Sequence, residues 1–525
     1  MKKHFWPLLL TLGLTLWLTF SLLRPGWFDS HDGIYHIRRV GEMTEMLKLG
    51  YFPVRWGLFL DNSYGTPIFN YVYPGPYYLA SFLKLITPLG VPTILKLLAI
   101  GSLGGGALAW YVFFQKKSRL AGVIAATLYL TTPYQLVNLF VRFSLGEIMV
   151  LGILPWVLVM YQYLAKQGRL LWYSPLPLFA ALISHNFLGL LGMGVILTYS
   201  FFSFPNFRLL LKTTLLSLLL ASFFLLPMLF ERSLVLSGVA QDYSFHYFDH
   251  FVMPFQLLYS RWDYWYSMPG IVNDGMTFQL GFASLSTVFL ALILFLRHHS
   301  RSLAILFLLY LATIFLMLPM TRFVWNHVPI LQVMQFPWRL LGIAAFVTPL
   351  FLLHLKPTPI LLFLVLFLGL IKTRNYRSPR KFWDSTEFAT EYALIKDKTA
   401  TSLRQELVPR WAVTERWQNV LVSSDQVAIE LDSASTQGKI IFSTVATGTE
   451  SATVHKNFFP SWQGQVDGQP LILAPTVDGA ISVPLAPGAH TYTIKLGSTL
   501  VEIIANALSL LTLLYLILLK FRYVR

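Results

Sequence analysis

Cysteine is missing altogether from the 525 residues. Its absence excludes disulfides, thiolate nucleophiles and cysteine-based metal sites, and leans only weakly toward an exported bacterial surface. Charge is scarce as well: 12% of residues are Asp, Glu, Lys or Arg against 55% hydrophobic, and the mean hydropathy is +0.59. That is too little polar surface to cover a soluble globule of this size, so the solvent for much of the chain is lipid. Acidic residues are the scarcest, 24 against 40 Lys and Arg, for a net charge of +16. The excess does not imply nucleic acid, because the cations sit mostly in short loops between apolar runs, where the positive-inside rule expects them. Phosphate-cradling glycine loops, dinucleotide fingerprints, zinc-helix motifs, short repeats and low-complexity stretches are also missing. Gly101-Ser-Leu-Gly-Gly-Gly106 falls within a helix and suits close helix packing.

What is present is a series of apolar runs from Pro7 to Leu519, and a spanning helix needs about 20 such residues. Lys2 and Lys3 precede the first run, which extends to Leu23 with no small-residue cleavage site after it, and so reads as a retained helix over about 5–23. With the N-terminus inside, the segment after Arg24 lies outside. Pro74 to Thr87 reads as an interfacial helix, and Val91 to Phe114 returns to the basic stop Lys116, Lys117 and Arg119. Alternation then gives about twelve spans, with inner clusters Lys166/Arg169, Arg208/Lys212, Arg297/Arg301, Lys356 and Lys520/Arg522/Arg525. Lys372, Arg374, Arg377, Arg380 and Lys381 break the parity. They fall outside, after a short span from Pro359 to Ile371, where they meet anionic headgroups. From Asn375 to Ser498 short alternating runs such as 481–485 and 491–496 predict strands, with turns at Asp467-Gly468, Asp478-Gly479 and Pro487-Gly488. The expected fold is mainly α. A polytopic transmembrane helical bundle covers residues 1–371, with a first outer loop at 24–90. An extracytoplasmic β-sandwich follows at 372–498, then a last helix with its basic tail at 499–525.

Chemistry concentrates in the first outer loop, where Asp29, His31, Asp32, His36, Arg38 and Arg39 crowd the mouth of the bundle. Ionisable groups at that depth are costly unless used or paired. A helix starting at Gly33 places Asp32 and His36 on one face, with Arg39 three residues on. A carboxylate there can take a proton from a hydroxyl, while His and Arg neutralise a phosphate leaving group. The plainer expectation is that Asp32 caps the helix and pairs with Arg38 or Arg39. The aromatic stretch Asp61 to Pro76, which includes Asn70 and Tyr73, lies along the interface either as a groove for a polyprenyl chain or as an anchoring belt. Arg142 and Glu147 form an ion pair, His185 breaks an apolar run, and Gln335-Phe-Pro-Trp-Arg339 either starts a helix or reaches a lipid phosphate. The loop from Glu231 to Phe278, with Asp242, His246, Asp249, His250, Asp263 and Asp274, reads as solvated and aromatic-studded rather than as a metal site.

Six stretches in this order, Ser30-His-Asp-Gly-Ile-Tyr-His36, Phe52-Pro-Val-Arg-Trp56, Asn70-Tyr71 with Tyr73-Pro74, Val141-Arg142 with Glu147, Ser184-His-Asn186 and Gln335-Phe-Pro-Trp-Arg339, resemble bacterial membrane proteins of a 6-pyruvoyl-tetrahydropterin synthase-related family. That family is in turn similar to the GT-C superfamily of membrane glycosyltransferases, and the resemblance covers nearly the whole chain. Asn457-Phe-Phe-Pro-Ser-Trp462 with Val466-Asp-Gly468, Gly479 and Pro487-Gly-Ala-His490 resembles the exported β-domain of several such proteins. The resemblance implies transfer of a sugar from a polyprenyl-phosphate donor to an extracytoplasmic glycan, lipid or protein acceptor at the plasma (inner) membrane. It also implies a catalytic Asp32, with Asp29 as the nearer-to-membrane alternative. One departure is Phe143, where the family's motif has glycine.

The expected catalytic residues are therefore Asp32, His31 and His36, with Asp32 a base or a ligand of a divalent metal. The expected substrate-binding residues are Asp29, Arg39, Asn70, Tyr73, Arg142, Glu147, His185, Gln335 and Arg339. The competing expectation is a non-catalytic membrane protein that binds or translocates lipid-linked glycans. A soluble pterin enzyme is excluded by the hydrophobicity and by the lack of a Cys nucleophile or a three-His zinc set.

Overall fold

The computed structural model describes residues 2–236, 246–268, 275–384, 407–413 and 420–522. The apolar runs become helices because hydrocarbon offers the backbone no hydrogen-bond partner outside its own segment. In chain order the principal ones are α1 (Lys2–Thr19, extended by a 3₁₀ turn Phe20–Leu23), α2 (Gly33–Lys48), α3 (Gly75–Ile86), α4 (Val91–Phe114), α5 (Arg119–Leu130), α6 (Leu145–Gln167), α7 (Leu176–Ser184) and α8 (Asn186–Ser203). They continue with α9 (Phe207–Leu220), α10 (Ser222–Phe230), α11 (Phe282–His298), α12 (Arg301–Phe315), α13 (Pro359–Thr373) and α14 (Leu500–Arg522).

Among the described residues five helices are long and apolar enough to cross a membrane: His4–Leu23, Val91–Phe114, Leu145–Gln167, Asn186–Ser203 and Leu500–Phe521. Three bent pairs raise the number to at most eight. The expected count of about twelve spans is not confirmed by length and composition among the described residues, where bends and short helices interrupt the apolar runs. Pro133 and Pro319 each lack an amide donor and start a new segment, bending Arg119–Leu130 against Pro133–Arg142 by 48° and Arg301–Phe315 against Pro319–His327 by 88°. Three further apolar helices, Phe282–His298, Pro337–Leu353 and Pro359–Ile371, are shorter than a span.

The bundle has two chemically different ends. At one, His4 meets the Tyr111 hydroxyl (2.7 Å), Lys117 donates to the carbonyls of Leu352 and Leu355 (2.9 and 3.0 Å), Asn206 donates to Ala165 O (3.0 Å), and Lys520 lies over the Trp172 ring. The loops carrying Lys116, Lys166, Arg169 and Lys356 gather there. At the other end, buried Lys96 donates to the carbonyls of Arg24 and Gly26 (2.5 and 3.0 Å), and the first loop packs against the start of α6.

The C-terminal β-rich part consists of two antiparallel sheets, in the orders β1-β4-β8-β7 and β2-β3-β9-β5-β6. Their strands are β1 (Val422–Ser423), β2 (Glu430–Leu431), β3 (Lys439–Ala446), β4 (Ser451–Asn457), β5 (Trp462–Val466), β6 (Gln469–Leu471), β7 (Ala474–Pro475), β8 (Ala480–Pro484) and β9 (Gly488–Leu496). Alternation puts Ile440 and Phe442 of one sheet and Val454, Ile481 and Val483 of the other into a single apolar core. Asp467 and Gly468 both have positive φ, the geometry a two-residue hairpin between β5 and β6 requires.

This part docks on the first loop. Trp56 meets Phe459 and Trp462 edge-on, and Asn457 donates to Asp61 Oδ2 and Gly65 O, both at 2.7 Å. Lys456 donates to the carbonyls of Leu58 and Ser63 and to the Gln437 side chain. Residues 374–384, expected within the β-rich domain, pack instead on the first loop, where Phe28 and Phe382 form a β-bridge and Asp29 N donates to Lys381 O (3.0 Å).

Candidate functional site

Helix α2 begins at Gly33, so Asp32 takes the N-cap position as expected, but its side chain makes no capping bond. Nor does it pair with Arg38 or Arg39 in the way the plainer expectation had it. The backbone amides of His31 and Asp32 donate to the carbonyls of Val141 and Arg142 (3.1 and 2.8 Å), which ties the loop to the end of the bent helix pair. This leaves Asp32 Oδ2 3.7 Å from Arg142 Nη2, with the aspartate side chain 38% exposed and the arginine 4%.

Arg142 is fixed from behind. Its Nη1 donates to Glu147 Oε1 (2.8 Å) and to Asn138 Oδ1 (2.7 Å), and its guanidinium lies 4.7 Å from the Trp338 ring centre. Arg339 Nε approaches the same Glu147 oxygen at 3.2 Å, while Tyr134 donates to Oε2 at 2.6 Å. One fully buried carboxylate thus orients two guanidiniums, and a buried carboxylate is tolerable only when its oxygens are occupied in this way. The five-residue π turn Asn138–Arg142 brings Asn138 and Arg142 together. Its C-cap, Phe143, sits in the left-handed region (φ 51°, ψ 48°), the conformation glycine adopts most easily. The phenylalanine is held there by ring contacts to Trp27, Phe28 and His36.

His36, an expected catalytic residue, is buried with both nitrogens engaged. The amide of Leu145 donates to Nε2 (3.3 Å), so the ring proton resides on Nδ1 and is donated to the Tyr77 hydroxyl (2.9 Å). Burial, and then the nearby Arg39, push its pKa down to about 3. The imidazole is therefore a neutral clasp on the first turn of α6. His31 is placed differently, stacked on Tyr266 (4.2 Å between ring centres), with Nε2 3.3 Å from Tyr264 O. The loop expected to be merely solvated thus reaches the site through Tyr264 and Tyr266. Its Asp242 and Asp274 lie outside the described residues.

Tyr73 stacks between His185 and Tyr77, and Arg39 donates to the Tyr77 hydroxyl (3.2 Å). His185 caps α8 by accepting from the Leu188 amide (3.3 Å). Tyr73 can lie this close only because residue 146 is glycine: a Cβ there would be 2.4 Å from the tyrosine ring. Three expected residues stand apart. Asn70 is buried in a second cluster, bonded to Arg55 (2.7 Å) and Glu502 (2.7 Å). Asp29 is exposed and joined through its backbone to Lys381. Gln335 contributes a left-handed turn (φ 65°) before the 3₁₀ helix Pro337–Leu340. Tyr134, Asn138 and Tyr77 were not singled out by the sequence, and Trp338 entered only as part of the stretch Gln335 to Arg339. The signal that could have pointed to Tyr134 and Asn138 is the proline at 133, which interrupts the apolar run.

Among the described residues no group of three or more His, Asp or Glu is placed to hold a metal ion. The charged neighbour recorded at the Asp32 carboxylate is a guanidinium, so the donor set does not fit the expected divalent metal.

Fold and site together define a multi-pass helical membrane protein with a β-rich C-terminal part and a carboxylate–guanidinium site at one end of its bundle. No family model and no curated protein matches the chain, so the pterin-related family name gains no support. Among solved structures, the apo oligosaccharyltransferase of Archaeoglobus fulgidus is similar at 14% identity and a TM-score of 0.42, over 76% of this chain and 56% of that one. The present chain therefore matches little more than half the length of that neighbour.

Proposed function

We infer that the protein is a membrane glycosyltransferase that moves a sugar from a polyprenyl-phosphate donor to an extracytoplasmic acceptor. The observation that carries this reading is the half-exposed Asp32 carboxylate, without its capping bond and 3.7 Å from an Arg142 that is itself anchored on buried Glu147. A base that must be reached by substrate has to keep an open side, and a departing phosphate needs fixed cations.

In this mechanism Asp32 accepts the proton of an acceptor hydroxyl as its oxygen attacks the anomeric carbon. The bond from that carbon to the phosphate oxygen breaks, the configuration inverts, and the phosphate carries the electron pair away. Arg142 and Arg339, pre-oriented by Glu147, meet its charge without reorganising. His31 and Arg39 line the approach, and His36 positions the floor. The test is transfer from a radiolabelled polyprenyl-phosphate sugar by purified protein. Asp32→Asn should lower turnover by about 10²- to 10⁴-fold with insertion and thermal stability unchanged. Donor binding without turnover in the wild type would instead establish the non-catalytic binding protein.

A further inference from the structure

The basic run after α13 sits at the wrong end of the molecule for topogenesis. The loop cations that the positive-inside rule accounts for gather at the end shared by His4, Lys117 and Lys520. Arg374, Arg377 and Arg380 lie at the opposite end, against the exit of α1: Ser21 Oγ donates to Arg377 O (2.7 Å), and the Arg377 guanidinium stands 4.4 Å from the Trp17 ring centre. Arg24 joins them, 4.6 Å over Phe382. Among the described residues no carboxylate is recorded in a salt bridge with any of these four arginines. Arg24, Arg374 and Arg380 are exposed.

The strip is also held in shape. Tyr376 stacks on Trp262 (4.2 Å, 8°), the Tyr264 hydroxyl donates to Ser378 O (2.9 Å), and the Phe28–Phe382 bridge joins it to the first loop. Four arginines carried on a backbone held where two apolar helices, α1 and α13, end face the level at which lipid phosphates lie. Guanidiniums that rest on aromatic rings keep their planar edges available for phosphate oxygens.

We propose that Arg24, Arg374, Arg377 and Arg380 form a binding site for the phosphate headgroup of an anionic membrane phospholipid. The site is separate from the Asp32 centre and does not depend on the transferase reading. Its occupant is a lipid rather than a soluble anion because the cations border lipid-facing helix ends, Phe20 and Leu23 at the exit of α1 and Ile371 at the exit of α13 being 70%, 52% and 50% exposed.

The test is native mass spectrometry of the full-length, delipidated protein in detergent, titrated with dioleoyl phosphatidylglycerol or dioleoyl phosphatidylcholine. The wild type should retain phosphatidylglycerol preferentially. Arg374→Gln with Arg380→Gln should weaken that preference by about five-fold per charge removed, whereas Arg208→Gln with Lys212→Gln, exposed at the other end, should leave it intact. Equal retention of both lipids overturns the proposal, as does an unchanged preference in the 374/380 variant. If inorganic phosphate at millimolar concentration abolishes the preference, the site reads phosphate alone and the lipid assignment fails. A folding defect is separated by the melting temperature, and the single variant Arg374→Lys should then recover both charge and preference.

Discussion

Glu147 Oε1 receives Arg142 at 2.8 Å and Arg339 at 3.2 Å, so removing this one side chain leaves two guanidiniums at the site without their shared anchor. Breaking a buried pair from one side costs about 3–5 kcal/mol, because the remaining charge is uncompensated. Glu147→Ala should therefore lower the melting temperature in detergent markedly, while Tyr134→Phe, which removes one hydrogen bond, should cost about 1 kcal/mol. At His36 the sign of the pH effect follows from its neutral state. The folded pKa lies near 3 and the ordinary value is 6.5, so between these the unfolded chain takes up a proton that the folded chain refuses, and stability falls as pH drops through that window. Melting followed from pH 7 to pH 5 should show a steeper loss in the wild type than in His36→Asn. Asp32 and Arg142 were legible as candidates because ionisable side chains in so apolar a sequence are conspicuous. The use of His36 as a clasp was not, since it depends on an amide 109 positions away in sequence.

Among the elements, α4 forms over Val91–Phe114, the range its apolar run predicts, and α2 starts at Gly33 as the sequence indicated. Length and hydropathy are local properties, so they could be read. The bend at Pro133 and the π turn that follows depend on how α5 meets α6, and a hydropathy window sees only one continuous span. Asn70 shows the same limit: it resembled a substrate residue, yet its partner Glu502 lies 432 positions later at the start of α14. Close packing between elements yields a sharp expectation. Gly146→Ala places a methyl against the Tyr73 ring and the Ser184 carbonyl, at 2.4 and 2.7 Å. The overpacking should cost about 1–3 kcal/mol and reduce transfer by displacing Tyr73 from its stack with His185, read as a lower melting temperature together with lower turnover.

At the scale of the whole molecule, the β-rich part, the first loop and the head of α14 meet at the end of the bundle that holds Asp32. Arg55 links the first loop to the head of α14 and to α10, donating to Asn70 (2.7 Å), Asn506 (2.8 Å) and the Phe223 carbonyl (3.1 Å). Arg55→Leu should loosen this junction and raise the rate of proteolysis within the first loop. The two-sheet character of residues 422–496 could be anticipated from alternation and from Asp-Gly turns, whereas its docking through Lys456 and Asn457 could not, because those contacts join residues almost 400 positions apart. The central claim concerns the carboxylate at that end. Purified Asp32→Asn, compared with the wild type for sugar transfer from a radiolabelled polyprenyl-phosphate donor, should bind donor, melt at the wild-type temperature and transfer almost nothing; turnover at the wild-type rate would contradict the account.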